Sequence, residues 1–354
     1  MAATNLAPIR RKLLGWYEKN KRDLPWRRTS DPYAIWISET MLQQTQVKTV
    51  LPYYAPFLQN LPTVQALDRA PLRRVLQLWS GLGYYRRAEN LKKAARQIVR
   101  QHGGALPADY GQLRALAGIG EYTAGALLSI AFEKRYAAID GNVRRVLSRL
   151  LNPIGTNALR ESARQLVPQS KPGRFNQALM ELGATICLPG EPRCRLCPLA
   201  GHCHSHKKNR MAGHPAPRRK RNFKNVTWPL AIVRCDGKIL LRRRSDSGLL
   251  AGLWEIPGGE QRARESVLET IGRNLEELGL SRHSACALDE IRHSITYRRI
   301  RAPIFLIEVG VKDSIELPDR AWRWIAPAAL HRYPVSSMTR KAAAALAAHE
   351  KNFS

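Results

Sequence analysis

The spacing of hydrophobic residues divides the chain into two parts. In the first part, apolar residues recur at helical spacing, as in Leu72–Trp79 and Glu89–Gln101, and Gly and Pro separate the segments. This period is that of a helix with one buried face. We therefore predict helices with short connections as far as Cys203.

After Asn225 the pattern becomes that of strands. Leu230–Arg234 and Lys238–Arg242 flank Asp236-Gly237, a dipeptide typical of a tight hairpin turn. One further strand and two helices are predicted at Pro303–Val311, Ser266–Leu278 and Thr339–Lys351. The second part is therefore predicted to be a smaller α+β domain.

A basic segment separates the two parts. Residues 205–225 contain Lys, Arg, Pro and Gly but no acidic residue and no apolar periodicity, which is typical of a linker. The predicted organisation is a mainly α domain in residues 1–203, a linker in residues 204–225 and the α+β domain in residues 226–354. Two domains also suit a chain of 354 residues.

The charge balance indicates what the chain binds. Lys and Arg number 58 against 28 Asp and Glu, a formal net charge of +30. Such an excess favours a polyanionic partner, first of all nucleic acid, although a merely soluble basic protein and a membrane surface remain alternatives. No apolar run is long enough to span a bilayer, and the first 20 residues have no apolar core of a signal peptide.

Four of the six cysteines crowd into one short stretch, at intervals of six, two and five residues: Cys187, Cys194, Cys197 and Cys203. Four thiolates at short spacing can hold either a 4Fe–4S cluster or a structural zinc ion, and the spacing leaves both open. Either group indicates a reducing compartment. We interpret Cys235 and Cys286 as ordinary buried cysteines.

A Gly-rich turn at Leu116–Gly120 lies between two predicted helices, the first beginning at Asp109 and the second spanning Glu121–Phe132. Gly118 and Gly120 are interpreted as permitting a tight turn. They leave backbone N–H groups exposed at a helix N-terminus, where a phosphate binds without being read for sequence. The simpler interpretation is a turn with no ligand.

Two carboxylates are candidates for acid–base chemistry. Glu39 is the only charged residue between Asp31 and Lys48 in an otherwise apolar helix, so burial should raise its pKa into the range of a general acid. Its alternative is a carboxylate satisfied by a salt bridge. Asp140 precedes a predicted helix, and both Asp140 and Asn142 could instead be structural, since Asp is a favoured N-cap.

Together these features resemble the helix-hairpin-helix DNA glycosylases with a 4Fe–4S cluster, specifically adenine DNA glycosylases of the MutY type. Besides the hairpin and the four cysteines, the resemblance is carried by Leu24–Trp26, Ser38–Gln46, Trp79–Tyr85, Ile139–Asn142 and Phe175–Gln177. It implies a 4Fe–4S cofactor and removal of adenine mispaired with 8-oxoguanine or guanine in double-stranded DNA.

The resemblance also implies roles for single residues. Glu39 matches the acid that protonates adenine, and Asp140 matches the carboxylate that stabilises the sugar cation or attacks it. Supporting residues of that step are Tyr122 and Asn142. Residues near the flipped adenine are Trp26, Arg27 and Gln177, and residues that contact DNA are Gln44, Tyr84, Gly118 and Gly120. A lysine at the position of Tyr122 would form a Schiff base, so a monofunctional glycosylase is expected.

The second domain resembles a Nudix fold. Glu276, Glu277 and Gly279 match part of the Nudix box, but its Arg-Glu pair is missing, so no nucleotide hydrolysis is expected. The loop that reads 8-oxoguanine in the family matches Ile295-Thr296-Tyr297, in which Thr296 keeps a hydroxyl. We expect a monomer in the cytoplasm, associated with the nucleoid and not with a membrane. Alternatives are a thymine or uracil mismatch glycosylase and a non-catalytic DNA-binding protein.

Overall fold

The computed structural model describes residues 6–210, 222–245, 248–281, 283–295, 297–310, 315 and 317–353, with residues 352 and 353 described without their side chains. Contacts divide the chain into two compact units. Unit 1 comprises Met1–Ala70 and Arg86–Arg219, and unit 2 comprises Pro71–Tyr85 and Lys220–Ser354. No helix within the described residues is long and apolar enough to cross a membrane.

Helices and strands follow one another in the order predicted. The α-helices are α1 (Ala7–Asn20), α2 (Pro32–Leu42), α3 (Val47–Asn60), α4 (Val64–Arg69), α5 (Leu72–Trp79), α6 (Arg86–Gln101), α7 (Tyr110–Ala115), α8 (Glu121–Ile130), α9 (Gly141–Leu151), α10 (Gly155–Leu166), α11 (Pro172–Thr185), α12 (His204–Lys207), α13 (Val267–Leu275) and α14 (Ser337–Phe353). The strands are β1 (Lys224–Thr227), β2 (Leu230–Cys235), β3 (Lys238–Arg243), β4 (Trp254–Glu255), β5 (Cys286–Ile295), β6 (Arg298–Glu308) and β7 (Trp322–Ile325). The predicted fold class, a mainly α part followed by a smaller α+β part, is confirmed.

Helix α2 is central to unit 1. Its N-cap residue Asp31 accepts hydrogen bonds from the backbone N–H groups of Tyr33 and Ala34, and Pro32 occupies the first turn, where it costs no hydrogen bond. Every residue from Tyr33 to Met41 is buried. A second group of helices, α1, α9, α10 and α11, packs around a core that includes Leu13, Leu147 and Phe175.

Among its described residues, unit 2 forms a seven-stranded sheet with the order β1-β6-β2-β3-β4, in which β5 also pairs with β6 and β7 with β3. Strands β1 and β2 run parallel to β6. Alternate residues of β2 face two cores: Ile232 packs with α14, and Val233 packs with α13. One helix therefore covers each face of the sheet.

The segment Pro71–Tyr85 differs from the sequence-based boundary. The pattern places it in residues 1–203, but in the structure it clusters with unit 2. The hydroxyl groups of Ser80 and Tyr85 both donate to the carbonyl oxygen of Val335, at 2.7 Å each. Hydrogen bonds between positions about 250 residues apart leave no periodic signal in the sequence.

Candidate active site

A cavity of about 1100 Å³ opens in unit 1. Its wall comes from α2 and the residues that follow it, from the hairpin, and from the beginnings or inner faces of α8, α9 and α11. Ten of the predicted site residues line it together: Trp26, Arg27, Glu39, Gln44, Gly118, Gly120, Tyr122, Asp140, Asn142 and Gln177. The fold thus gathers side chains that lie up to 151 positions apart in the sequence.

Glu39 lies in the last turns of α2 and is 5% exposed. The hydroxyl of Tyr122 donates to its Oε2 at 2.6 Å. Burial raises the pKa of Glu39 to about 7, the nearby charge of Asp140 also raises it, and the Tyr122 hydrogen bond and the charge of Arg27 lower it. A carboxyl group with this pKa holds a proton at neutral pH and can release it, as a general acid must.

Tyr122 stands in the first turn of α8, directly after the hairpin. Burial and the neighbouring carboxylates Glu39 and Asp140 hold its pKa well above the usual value of 10.0. The phenol is therefore neutral and acts as a donor. Its oxygen also contacts the Met180 sulfur at 3.7 Å, so the phenol is held between α2 and α11.

Asp140 is the N-cap of α9 and also faces the cavity. Its Oδ1 accepts from the backbone N–H of Val143 at 2.6 Å, and its Oδ2 accepts from the side-chain amide of Asn142 at 3.1 Å. Burial raises the pKa of Asp140, and these hydrogen bonds lower it. The structural interpretation as a cap is therefore correct, and the capping bonds fix the carboxylate at the cavity wall.

A buried carboxylate that sequence reasoning missed, Glu181, also lines the cavity. Both oxygens of Glu181 are occupied, since Arg22 Nε donates to Oε1 at 2.7 Å and Arg27 donates to Oε2 at 2.7 Å. Burial raises the pKa of Glu181, but the hydrogen bonds and charges of Arg22 and Arg27 outweigh it and hold the pKa at about 2. Glu181 is the only charged residue between Arg174 and Glu191, the same signal that identified Glu39.

Trp26 and Gln177 also line the cavity, and contacts with neighbouring aromatic side chains hold both in place. Trp26 is buried and meets the ring of Tyr54 edge-on, with ring centroids 5.4 Å apart. The Tyr17 hydroxyl donates to Gln177 Oε1 at 2.6 Å, which directs the amide donor group of Gln177 to other partners. The wall therefore offers an aromatic face, an amide and an arginine whose charge is already paired.

The two hairpin glycines have different roles. Gly118 has a φ of +77°, and a Cβ added there would lie 2.7 Å from the Cβ of Asn90. Gly120 has a φ of −84°, is the N-cap of α8 and would have no contact shorter than 3.8 Å. The expectation that both glycines permit the tight turn is thus corrected, because only Gly118 adopts the left-handed conformation and close approach that require glycine.

Two other predicted DNA contacts have unusual backbones. Gln44, in the segment after α2, has a φ of 57° and lines the cavity. Tyr84 has a φ of 48°, is 47% exposed and belongs to unit 2. Non-glycine residues seldom adopt this conformation, which costs about 1–3 kcal/mol and persists only where the surrounding structure holds it.

The four clustered cysteines form no disulfide: Cys187 lies two residues after α11, Cys194 begins a short 3-10 turn, and Cys197 and Cys203 each follow the end of such a turn. Burial raises the pKa of Cys197 to about 11, and the charges of Cys187, Cys203 and Cys194 contribute. The guanidinium of Arg149 donates to Cys187 Sγ at 3.5 Å. Four soft sulfur donors beside the buried Arg149 fit a thiolate-bound metal centre. Within the described part of the chain, no three His, Cys, Asp or Glu residues are arranged to hold a single metal ion.

In unit 2, Thr296 lies outside the described residues. Its neighbours are Ile295, the last residue of β5, and Tyr297, which is 47% exposed and precedes β6. Glu276 and Glu277 lie in a separate 3-10 turn after α13, where Glu277 contacts Arg242 at 3.3 Å.

Two family profiles match the chain, one in each half. Residues 37–169 match the HhH-GPD superfamily of base excision DNA repair proteins, and residues 229–345 match the NUDIX domain. The first matched range contains Glu39, Tyr122 and Asp140. The second contains the sheet of unit 2 from β2 onward.

Named relatives extend the similarity. The chain is 34% identical to the adenine DNA glycosylase of Homo sapiens, over 94% of this chain and 73% of that protein. It is 35% identical to the adenine DNA glycosylase of Buchnera aphidicola subsp. Baizongia pistaciae, over 83% of this chain and 85% of that protein. A solved thermostable thymine-DNA glycosylase is 31% identical, with a TM-score of 0.55, over 57% of this chain and 97% of its own.

Proposed function

The chain belongs to the family of adenine DNA glycosylases, and we propose that it hydrolyses the N-glycosidic bond of adenine mispaired with 8-oxoguanine or guanine in double-stranded DNA. The observation that carries this proposal is the pair Glu39 and Asp140 in one cavity. Burial gives Glu39 a pKa of about 7, while Asp140 is held by two hydrogen bonds. Two carboxylates in different environments can divide acid and cation-stabilising roles.

The reaction begins with extrusion of the deoxyadenosine nucleotide, because neither carboxylate can reach a stacked base. The Glu39 carboxyl gives its proton to a ring nitrogen of adenine, the bond between C1′ and the base breaks, and its electron pair leaves with the base. The Asp140 carboxylate stabilises the positive sugar or attacks it. A water molecule then adds to C1′, any bond between C1′ and Asp140 breaks so that Asp140 leaves as the carboxylate, and the Glu39 carboxylate takes up one proton of the water.

The other cavity residues position the base. Tyr122 holds the Glu39 carboxyl through its hydroxyl, and Asn142 holds Asp140. Trp26, Arg27 and Gln177 face the adenine. Since Tyr122 cannot form a Schiff base, the enzyme removes the base without cutting the strand. Efficient borohydride trapping on a residue needed for excision would contradict this.

We further propose that Cys187, Cys194, Cys197 and Cys203 hold a 4Fe–4S cluster. When bound, the cluster supplies structural cross-linking of the loop that follows α11. The loop then presents its basic residues to the DNA backbone, as the hairpin residues Gly118 and Gly120 present backbone N–H groups, and Gln44 and Tyr84 enter the base stack. The enzyme acts as a monomer in the cytoplasm, on nucleoid DNA.

One panel of substrates tests the proposed specificity. Duplexes carry adenine opposite 8-oxoguanine, adenine opposite guanine, or thymine opposite guanine, and release of the free base is measured. We expect adenine release from the first two and none from the third. The similarity to a thymine-DNA glycosylase supports the alternative activity, and it covers 57% of the chain. Thymine release without adenine release would therefore replace this proposal, and no release at all would favour a non-catalytic DNA-binding protein.

A further inference from the structure

Arg87, near the start of α6, reaches the end of the helix that carries Glu39. It is 8% exposed. Its NH1 group donates to the carbonyl oxygens of Thr40 at 2.9 Å and Met41 at 2.7 Å, and also to that of Gln43. Carbonyl groups in the last turn of a helix have no partner within the helix. One buried cation therefore satisfies the C-terminus of α2 and opposes its negative dipole end.

The same guanidinium also holds the segment Gln43–Thr45, which we term the exit loop. Arg87 NH2 donates to the Thr45 hydroxyl at 2.9 Å. From the other side, the Gln43 amide donates to the Thr123 hydroxyl at 3.2 Å, and Thr123 follows Tyr122. The exit loop is thus fixed between α6 and α8, with Gln44 between its two anchored ends.

We infer that Arg87 is a positioning residue for base excision, which sets the exit loop and the end of α2 so that Gln44 and Glu39 keep their places relative to each other. Gln44 adopts a left-handed backbone at the cavity wall, a conformation that its surroundings must enforce. Glu39 precedes Thr40 directly. Loss of Arg87 releases both, while the basic residues of the cysteine loop, which are proposed to face the DNA backbone, are not among its hydrogen-bond partners.

The test compares Arg87→Ala, Arg87→Lys and Thr45→Ala with Arg96→Ala. Arg96 is an arginine of the same helix, 57% exposed, and contacts Asp68 at 3.6 Å. Adenine release from the duplex with adenine opposite 8-oxoguanine is followed in single turnover, with enzyme in saturating excess. A separate run with the duplex in excess gives the active fraction from its burst amplitude, and the single-turnover rate constant then refers to folded enzyme.

We expect Arg87→Ala to lower this rate constant by about 10- to 100-fold, because a displacement near 1 Å at a reacting group costs that much. The rate constant should fall by the same factor at every pH. The affinity of Arg87→Ala for an undamaged duplex should stay within about twofold of the wild type's. Arg87→Lys recovers part of the rate, since an ammonium group replaces some of the donors. Thr45→Ala slows the step less, and Arg96→Ala does not slow it.

A merely structural role would lower the melting temperature and the active fraction but leave the rate constant unchanged, and that result would overturn the inference. If Arg87→Ala does not fold, Thr45→Ala decides, since a wild-type rate constant there is equally contrary. The inference rests on the proposed function for the roles of Glu39 and Gln44. The two outcomes are distinguishable: excision that persists in Glu39→Gln overturns the proposed role of Glu39 and the inference that depends on it, whereas an unchanged Arg87→Ala rate constant, with Glu39→Gln inactive, overturns the inference alone.

Discussion

At the scale of the residue, the site depends on two buried carboxyl groups whose pKa values are shifted in opposite directions. Glu39 has one hydrogen bond, from a neutral phenol, and its pKa is raised to about 7. Glu181 accepts hydrogen bonds from Arg22 and Arg27, and these arginines hold its pKa at about 2. Both are isolated charges in apolar helices, but the sequence does not show which partners the fold supplies. Glu39 could therefore be identified from sequence, and the ion pairs of Glu181 could not.

The pKa of Glu39 predicts how excision depends on pH. Because Glu39 must be protonated and Asp140 ionised, kcat/KM should be bell-shaped, with an alkaline limb that begins near pH 7 and falls about tenfold per pH unit. The raised pKa of Asp140 produces the acid limb. Adenine release measured between pH 5 and pH 9.5 tests this. A rate that rises steadily to pH 9 would contradict protonation by Glu39.

The same pKa predicts a stability effect. The folded state holds the Glu39 proton more tightly than the unfolded state, in which the pKa is near 4.5. Stability is therefore lost as pH rises from about 4.5 through 7, by an amount on the order of 3 kcal/mol. Glu39→Gln removes this titration, so its free energy of unfolding should exceed the wild type's at pH 8, with the gap narrowing at pH 5. A gap that does not change with pH would refute the raised pKa.

At the scale of the element, periodicity predicted the helices with one buried face well and the contacts between elements poorly. Helix α5 has the predicted bounds, Leu72–Trp79, and the predicted hairpin forms from β2 and β3. Strand β6 begins at Arg298, before the predicted start. Its first residues are largely charged and do not show the apolar pattern of a strand, but they pair with β1 and β5. Pairing between distant strands is not encoded in the local pattern.

The hairpin provides a prediction with a matched control. Gly118→Ala places a side chain in the left-handed conformation and against Asn90, and should cost about 1–3 kcal/mol of stability. Gly120→Ala, with φ −84° and open space, should cost much less. Denaturant unfolding of the two variants measures both. Equal losses would show that the turn does not depend on the backbone of Gly118.

At the scale of the whole molecule, we propose that unit 1 removes adenine and that unit 2 reads the opposite base. The second assignment rests on Thr296, which the structure does not describe, and on its exposed neighbour Tyr297. The sequence predicted the two-part organisation, and its fold class is confirmed. It could not place Pro71–Tyr85, because that segment joins unit 2 through hydrogen bonds to the distant Val335.

Thr296→Val tests the assignment to unit 2. The substitution keeps the shape of the side chain and removes the hydroxyl that is proposed to contact 8-oxoguanine. The preference for adenine opposite 8-oxoguanine over adenine opposite guanine should fall, by about 5- to 20-fold for one lost hydrogen bond. The ratio of the two single-turnover rate constants measures it. Unchanged discrimination would place recognition of the lesion elsewhere in the chain.

The central claim is that Glu39 supplies the proton for adenine release, and one comparison tests it most directly. Wild type and Glu39→Gln are incubated with the duplex carrying adenine opposite 8-oxoguanine, free adenine is measured, and binding to the same duplex is titrated in parallel. We predict that the variant binds the duplex as the wild type does and releases no adenine. Adenine release by Glu39→Gln at a rate near that of the wild type would contradict the account.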